Sequence, residues 1–305
     1  MVEVNFCKCF PSFQCHTPNI VKSMKHTKCE VLSRPYYYVF LFLLYVVSVL
    51  GNTAVMVIIC LDHRLRTPKY IAVFSLVFAD LFGSSALVPK VLDIFMFDHH
   101  YIPCDDCFTF MFFCYTCLAM EPFNLVALAY DRLIAIIFPL HYHVKVTHRL
   151  MFSLIASFWL LIITAILIEV GLLTRLSFCK SVVIKSFFWD YVLFLWLPLV
   201  FILSCYSCIG YALSKIATVQ ERGKAFKTCT AHLSLVAIYF LPVMSTFRYT
   251  HLNARLTNPF LVSTLPPMLN PVIYVLQTQE IKESVKKLFK IRKKLKIKMK
   301  RVVIK

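Results

Sequence analysis

The sequence carries little charge. Only 16% of its 305 residues are Asp, Glu, Lys or Arg, where a water-soluble domain has about a quarter. Acidic residues are the scarcer sign, 15 against 33 basic. So few polar groups cannot cover a chain that is 59% hydrophobic, which excludes a purely soluble globular protein. Catalytic signatures are also missing. There is no phosphate loop, no Gly-x-Ser-x-Gly turn and no His-Glu-x-x-His helix. His99-His100 and His141-x-His143 lie near loops, without the Glu or the helical spacing of a metalloprotease. Internal repeats and paired interrupted helices, the marks of many transporters, are absent. No Asn stands in an Asn-x-Ser/Thr sequon, so the N-terminal segment is expected to be unglycosylated. The opening residues do not form the apolar core of a cleavable signal peptide, and none is expected.

What the chain does have is long apolar runs, with a mean hydropathy of +0.72. About 20 apolar residues cross the hydrocarbon core of a bilayer as a helix. Seven such runs stand out, at residues 37–61, 70–97, 107–139, 151–173, 187–213, 228–247 and 256–276. Backbone amides in lipid must find partners within the protein, so the runs predict helices. The division follows: an N-terminal segment 1–36, a seven-helix membrane domain 37–276 and a tail 277–305. Pro259, Pro266, Pro267 and Pro271 predict kinks in the seventh helix, with neighbouring helices satisfying the carbonyls they free.

Lys and Arg set the orientation. With the N-terminus outside, the inner segments hold 22 of them and the outer segments 10, so the positive-inside rule favours that topology. In the tail, Ile281, Val285, Leu288 and Phe289 share one helical face and lysines fill the rest. This reads as an amphipathic helix on the inner leaflet followed by a basic tail, whose partner is anionic lipid. The tail lacks the interleaved aromatics of a single-strand nucleic-acid binder, so no nucleic-acid partner is expected. Of thirteen cysteines, Cys60, Cys114, Cys117, Cys205 and Cys208 lie inside apolar runs and read as small hydrophobes, not a disulfide scaffold.

Charges inside the runs mark candidate sites, because charge in the membrane is costly. Asp80 and Glu121 lie deep in the second and third runs. Each is either hydrogen-bonded by Ser or Asn on a neighbouring helix, or the two share a cation, since close carboxylates cannot both ionise without a counter-charge. Asp131-Arg132 closes the third run, either as an ordinary interfacial ion pair or as a switch.

Three motifs carry a resemblance. The third run ends ALAYDRLIAIIFPLHYH, the sixth is entered through KAFKTCTAHL, and the seventh ends PPMLNPVIY. In that order they closely resemble the signatures of olfactory receptors, within the rhodopsin-like G-protein-coupled class. Gly51-Asn52 and FGSSALVPK support the match, which spans Arg34 to about Phe289. The Gly-Ser-Ser with Pro89-Lys90, and Leu241-Pro242 after Tyr239-Phe240, look more like fish receptors.

The resemblance implies an all-α, seven-transmembrane bundle at the cell surface with no enzymatic activity. It implies a small odorant as ligand and a heterotrimeric G protein of the olfactory stimulatory type as partner. Asp131 and Arg132 become the coupling switch, with Lys224, Lys227, Asn270, Pro271 and Tyr274 at the same inner end. A sodium ion is implied at Asp80 and Glu121, with Asn52 and Asn270 nearby. The ligand pocket is expected in the outer half, between helices three, five and six. Helical spacing gives it Cys114, Tyr115, Leu118 and Ala119 from the third run and Tyr239, Val243 and Met244 from the sixth. Tyr115 is the expected polar anchor.

This chain departs from the family in four places. Leu133 stands where the family has Tyr, and Ile137 where it has Cys. Cys107 matches the extracellular disulfide cysteine, but Trp189 stands where its usual partner would be, and the stretch from Cys179 to Tyr206 is short. Cys179 is the expected substitute partner, with Cys104 competing and two unpaired thiols as a further option. A damaged, non-signalling receptor is the alternative these departures motivate.

Overall fold

The computed structural model describes residues 34–96, 104–175, 192–215, 219–248, 266–273, 281, 283 and 284. They are helical throughout apart from short connecting turns. The long helices are α1 (Arg34–Leu61), α2 (Pro68–Met96), α3 (Cys104–Ile137), α4 (His148–Arg175), α5 (Leu197–Lys215) and α6 (Val219–Arg248), followed by α7 (266–273). Five carry stretches long and apolar enough to cross a membrane, and α6 has a shorter apolar segment, His232–Met244. At 28 residues, α1 is about 42 Å long, more than the roughly 30 Å of hydrocarbon it must cross.

Local chemistry sets the helix ends. Asp62 follows α1, and its carboxylate accepts the Arg64 N–H at 3.2 Å, capping the turn His63–Leu65. Pro68 opens α2, where its missing N–H is harmless. The third run was expected to reach Pro139, but α3 stops at Ile137, because a residue before proline is pushed out of helical geometry. Thr147 caps α4 by accepting the Leu150 N–H at 3.2 Å. Ahead of α5, residues Val192–Trp196 form a π turn, with Pro198 in the first regular turn. The sixth helix starts nine residues before the expected 228. The segment KAFKTCTAHL is therefore helix and not loop, since helix formers such as Glu221, Arg222 and Lys224 continue the backbone pairing beyond the lipid edge.

α3 is the axis of the bundle, with every residue from Met120 to Ala129 buried. Around it, α1 and α4 turn apolar side chains such as Phe42, Leu43, Leu160 and Ile168 outward, as lipid-facing helices do. Small residues let helices touch: a Cβ on Gly83 would lie 2.9 Å from Cys117 Cβ, and one on Gly51 would lie 3.0 Å from Pro271 Cβ. Polar side chains tie the rest. Trp159 Nε1 of α4 donates to Ser75 Oγ of α2 at 3.0 Å, and Tyr45 Oη of α1 reaches Ser85 Oγ at 3.4 Å. The expected satisfaction of a proline-freed carbonyl is present at Pro271; the carbonyls opposite Pro259, Pro266 and Pro267 lie outside the described residues. Pro271 has no N–H for the Pro267 carbonyl four residues back, and Asn52 Nδ2 of α1 donates there instead, at 2.7 Å. Beyond α7, Ile281 is fully buried and the Ser284 hydroxyl donates to Asp62 Oδ2 at 2.7 Å.

Several expectations fall outside this description: the segment 1–33, the Cys179 loop, Tyr274 and most of the tail. Cys104, Cys107, Lys224 and Lys227 are placed on helices by their backbone, but their side chains lie outside the described residues, so the disulfide does too.

Candidate functional site

Three groups of residues lie along α3. At its inner end Asp131 is fully buried, with its Oδ2 2.8 Å from Arg132 Nη2. Its Oδ1 accepts the Tyr142 hydroxyl at 2.6 Å. Pro139 makes this possible by ending the helix, so that the single turn Tyr142–Lys145 folds back beneath Asp131. One carboxylate thus holds a guanidinium and a phenol at once, while the Arg132 side chain is 20% exposed and opens toward solvent.

Two further helices converge there. Tyr206 Oη of α5 lies 2.6 Å from His232 Nδ1 of α6, with the rings stacked 5.7 Å apart at 17°. The Arg132 charge reaches Tyr206, Cys229 and His232. Just beyond, Leu140 is 93% and Val144 76% exposed, and Lys145 Nζ sits 3.4 Å above the Phe138 ring. Such apolar groups at the edge of a charged inner face fit a protein partner better than water.

The second group is a buried polar layer at mid-membrane. Asn270 Nδ2 of α7 donates to Asp80 Oδ2 of α2 at 2.8 Å. Asn52 also donates to the Ser48 carbonyl at 3.0 Å and to Ser48 Oγ at 3.2 Å. Glu121 of α3 is buried within reach of the Asp80 charge. Three side-chain oxygens of this layer have no hydrogen-bond partner: Asp80 Oδ1, Glu121 Oε2 and Asn52 Oδ1. Asp80 is thus hydrogen-bonded by an Asn of another helix, as the simpler alternative required, yet one oxygen of Asp80 and one of Glu121 have no partner. Among the described residues, no three His, Cys, Asp or Glu gather as a metal site. The unpartnered atoms here are carboxylate and amide oxygens, hard donors.

The third group lies toward the outer half. Tyr239 Oη of α6 donates to the Leu118 carbonyl of α3 at 3.3 Å. Ala119, Val243 and Met244 pack on the same core, and Cys114 is buried. Tyr115 is different, standing 40% exposed on α3. Beside it, the Thr116 hydroxyl is buried without a partner.

The sequence reading missed several of these residues. Tyr142 and Leu140 sit in the quoted FPLHYH stretch and Val144 directly follows it, so the signal was present, but their inward or outward facing is a matter of turn geometry. The Tyr206–His232 bond joins residues 26 positions apart on different helices, which no local pattern marks. Asn124 and Thr116 are uncharged and stand in no motif, so nothing in the local sequence marks them.

The chain matches the family model described as "7 transmembrane receptor (rhodopsin family)" over residues 51–274. It is 32% identical to Olfactory receptor 1E5 of Pan troglodytes, covering 82% of this chain and 88% of that relative. It is 33% identical to Olfactory receptor 1E1 of Homo sapiens, with coverages of 78% and 84%. It is 32% identical to Olfactory receptor 1 of Rattus norvegicus, with coverages of 83% and 89%.

Proposed function

Because the chain belongs to the rhodopsin family of seven-transmembrane receptors, and within it to the olfactory receptors, we propose that a small odorant in the outer half of the bundle releases Arg132 to a heterotrimeric G protein. The protein is a multi-pass membrane receptor and not an enzyme. The observation that carries the mechanism is the double load on Asp131, which holds both Arg132 and Tyr142. Arg132 can trade that internal bond for an external one without leaving its helix. Tyr206 and His232 supply the neighbouring contacts that change with it. Leu140 and Val144 supply apolar area for the docked partner, with Lys224, Lys227 and Tyr274 at the same end; Asn270 and Pro271, expected there too, lie instead in the mid-membrane layer beside Asp80 and Gly51.

The pocket residues Cys114, Leu118, Ala119, Tyr239, Val243 and Met244 favour a mostly apolar ligand. Tyr115, 40% exposed on the same run of α3, remains the proposed polar anchor. The stimulatory type of G protein follows the resemblance. The basic tail fits an anionic inner leaflet, where each Lys or Arg contributes about 1 kcal/mol.

The unmatched oxygens of Asp80, Glu121 and Asn52 fit a small hard cation, and we propose sodium there. Its charge would offset two buried carboxylates; the protein's part is to hold the oxygens, with Asn270 fixing one Asp80 oxygen.

Cyclic-AMP output normalised to surface receptor, under a broad odorant panel, tests the main reading. Asp131→Asn should raise basal output by up to about tenfold, equivalent to roughly 1.4 kcal/mol. Arg132→Ala should abolish coupling at an unchanged surface level. Wild-type output from Arg132→Ala would remove the G-protein reading. A wild type that reaches the surface and stays silent would favour the damaged receptor.

A further inference from the structure

We propose that Pro122 and Tyr239 form a latch that sets the resting position of α6 against α3, with the Leu118 carbonyl as its catch. The inference rests on the receptor reading above for its signalling consequence. Its structural part rests on geometry alone.

A proline inside a helix leaves the carbonyl four residues back without its N–H donor. Pro122 lies inside α3, and that carbonyl belongs to Leu118. It is the carbonyl to which the Tyr239 hydroxyl of α6 donates at 3.3 Å. A side chain from another helix thus fills the vacancy that the proline opens, as Asn52 does for the Pro267 carbonyl. The two bonds differ in strength. Asn52 lies at 2.7 Å, whereas 3.3 Å is long for a hydroxyl donor, whose usual distance is about 2.7–2.8 Å. The α3–α6 bond is therefore the one suited to break and re-form.

Its position gives it leverage. Tyr239 stands seven residues beyond His232, two helical turns along the same face of α6. His232 bonds Tyr206 and lies within reach of the Arg132 charge. A displacement of α6 that lengthens the Tyr239 bond also moves His232 relative to Arg132. Leu118 and Tyr239 line the expected pocket, so a ligand there bears directly on the latch. Pro122 and Tyr239 are positioning residues: neither needs to touch the G protein.

A double-mutant cycle tests this on the full-length receptor: wild type, Pro122→Ala, Tyr239→Phe and both. Each is measured for melting temperature in detergent and for basal cyclic AMP per surface receptor. Tyr239→Phe keeps the ring and removes the donor. It should lower the melting temperature by about 2–4 °C and raise basal output about two- to tenfold. Alanine at 122 restores an N–H to the Leu118 carbonyl inside its own helix, so the double variant should behave like Pro122→Ala alone. Additive melting shifts, or a Tyr239→Phe receptor that melts like wild type, would overturn the latch whatever the cyclic AMP shows. So would wild-type basal output from Tyr239→Phe in cells where Asp131→Asn is active. Coupled melting with silence in all four and in Asp131→Asn would support the latch and overturn the G-protein reading instead.

Discussion

Gly51 and Gly83 sit where helices meet with no room for a methyl group, and they make a sharp test at the scale of single residues. An added Cβ at Gly83 would lie 2.9 Å from Cys117 Cβ, and at Gly51 it would lie 3.0 and 3.1 Å from two atoms of Pro271. Neither neighbour is the end of a flexible side chain. Gly→Ala in a helix normally gains about 0.5–1 kcal/mol, but overpacking costs about 1–3 kcal/mol. Gly51→Ala and Gly83→Ala should therefore lower the melting temperature. Gly210, with nothing within 4 Å of its added Cβ, should show the opposite sign when changed to Ala. Detergent melting curves for the three variants check this, and a uniform sign would show that the close contacts do not decide the outcome. The same scale explains the inner switch. Asp131 can be the pivot because it is a single buried carboxylate with one ion-pair partner adjacent in sequence and one hydrogen-bond donor brought back by the turn after Pro139.

At the scale of elements, most of the helices were legible because lipid demands long apolar runs. The runs 37–61, 70–97 and 151–173 fall on α1, α2 and α4 to within three residues at either end. The start of α6 was not legible. Hydropathy marks where lipid ends, whereas backbone pairing in α6 continues through Glu221, Arg222 and Lys224 to Val219. The candidate sites divide the same way. Asp80, Glu121, Asp131 and Arg132 were visible as charges in apolar runs, and the motifs located Asn52 and Asn270. Facing was harder: Tyr115 and Cys114 are adjacent, yet one is exposed and the other buried. The tail helix supplies a prediction of its own. Ser284 Oγ donates to Asp62 Oδ2 at 2.7 Å, tying it to the turn after α1. A hydrogen bond to a charged group is worth about 1.5–3 kcal/mol. Ser284→Ala should therefore speed amide hydrogen exchange around residue 281 by at least tenfold while α1–α5 exchange as before. Unchanged exchange there would mean that Ile281 packing alone holds the tail.

At the scale of the whole molecule, orientation and ion content are the open properties. The excess of Lys and Arg on the inner segments puts the N-terminus outside, so an N-terminal tag should bind antibody on intact cells and a C-terminal tag only after permeabilisation. The reverse pattern would invert every site described above. Sodium should raise the melting temperature relative to potassium at equal ionic strength, because a ligand that binds only the folded state stabilises it. Asp80→Asn should remove that difference; a difference that survives would move the ion elsewhere. Finally, the bonds opposite Pro122 and Pro271 have acceptors that belong to no side chain. The Leu118 and Pro267 carbonyls persist whatever residue occupies those positions. A survey of inherited variants would therefore find nothing about either bond at position 118 or 267. Its record would fall at the distant donors, Tyr239 and Asn52, and at the prolines themselves, so that variation at sites far apart in the chain would be correlated without side-chain contact.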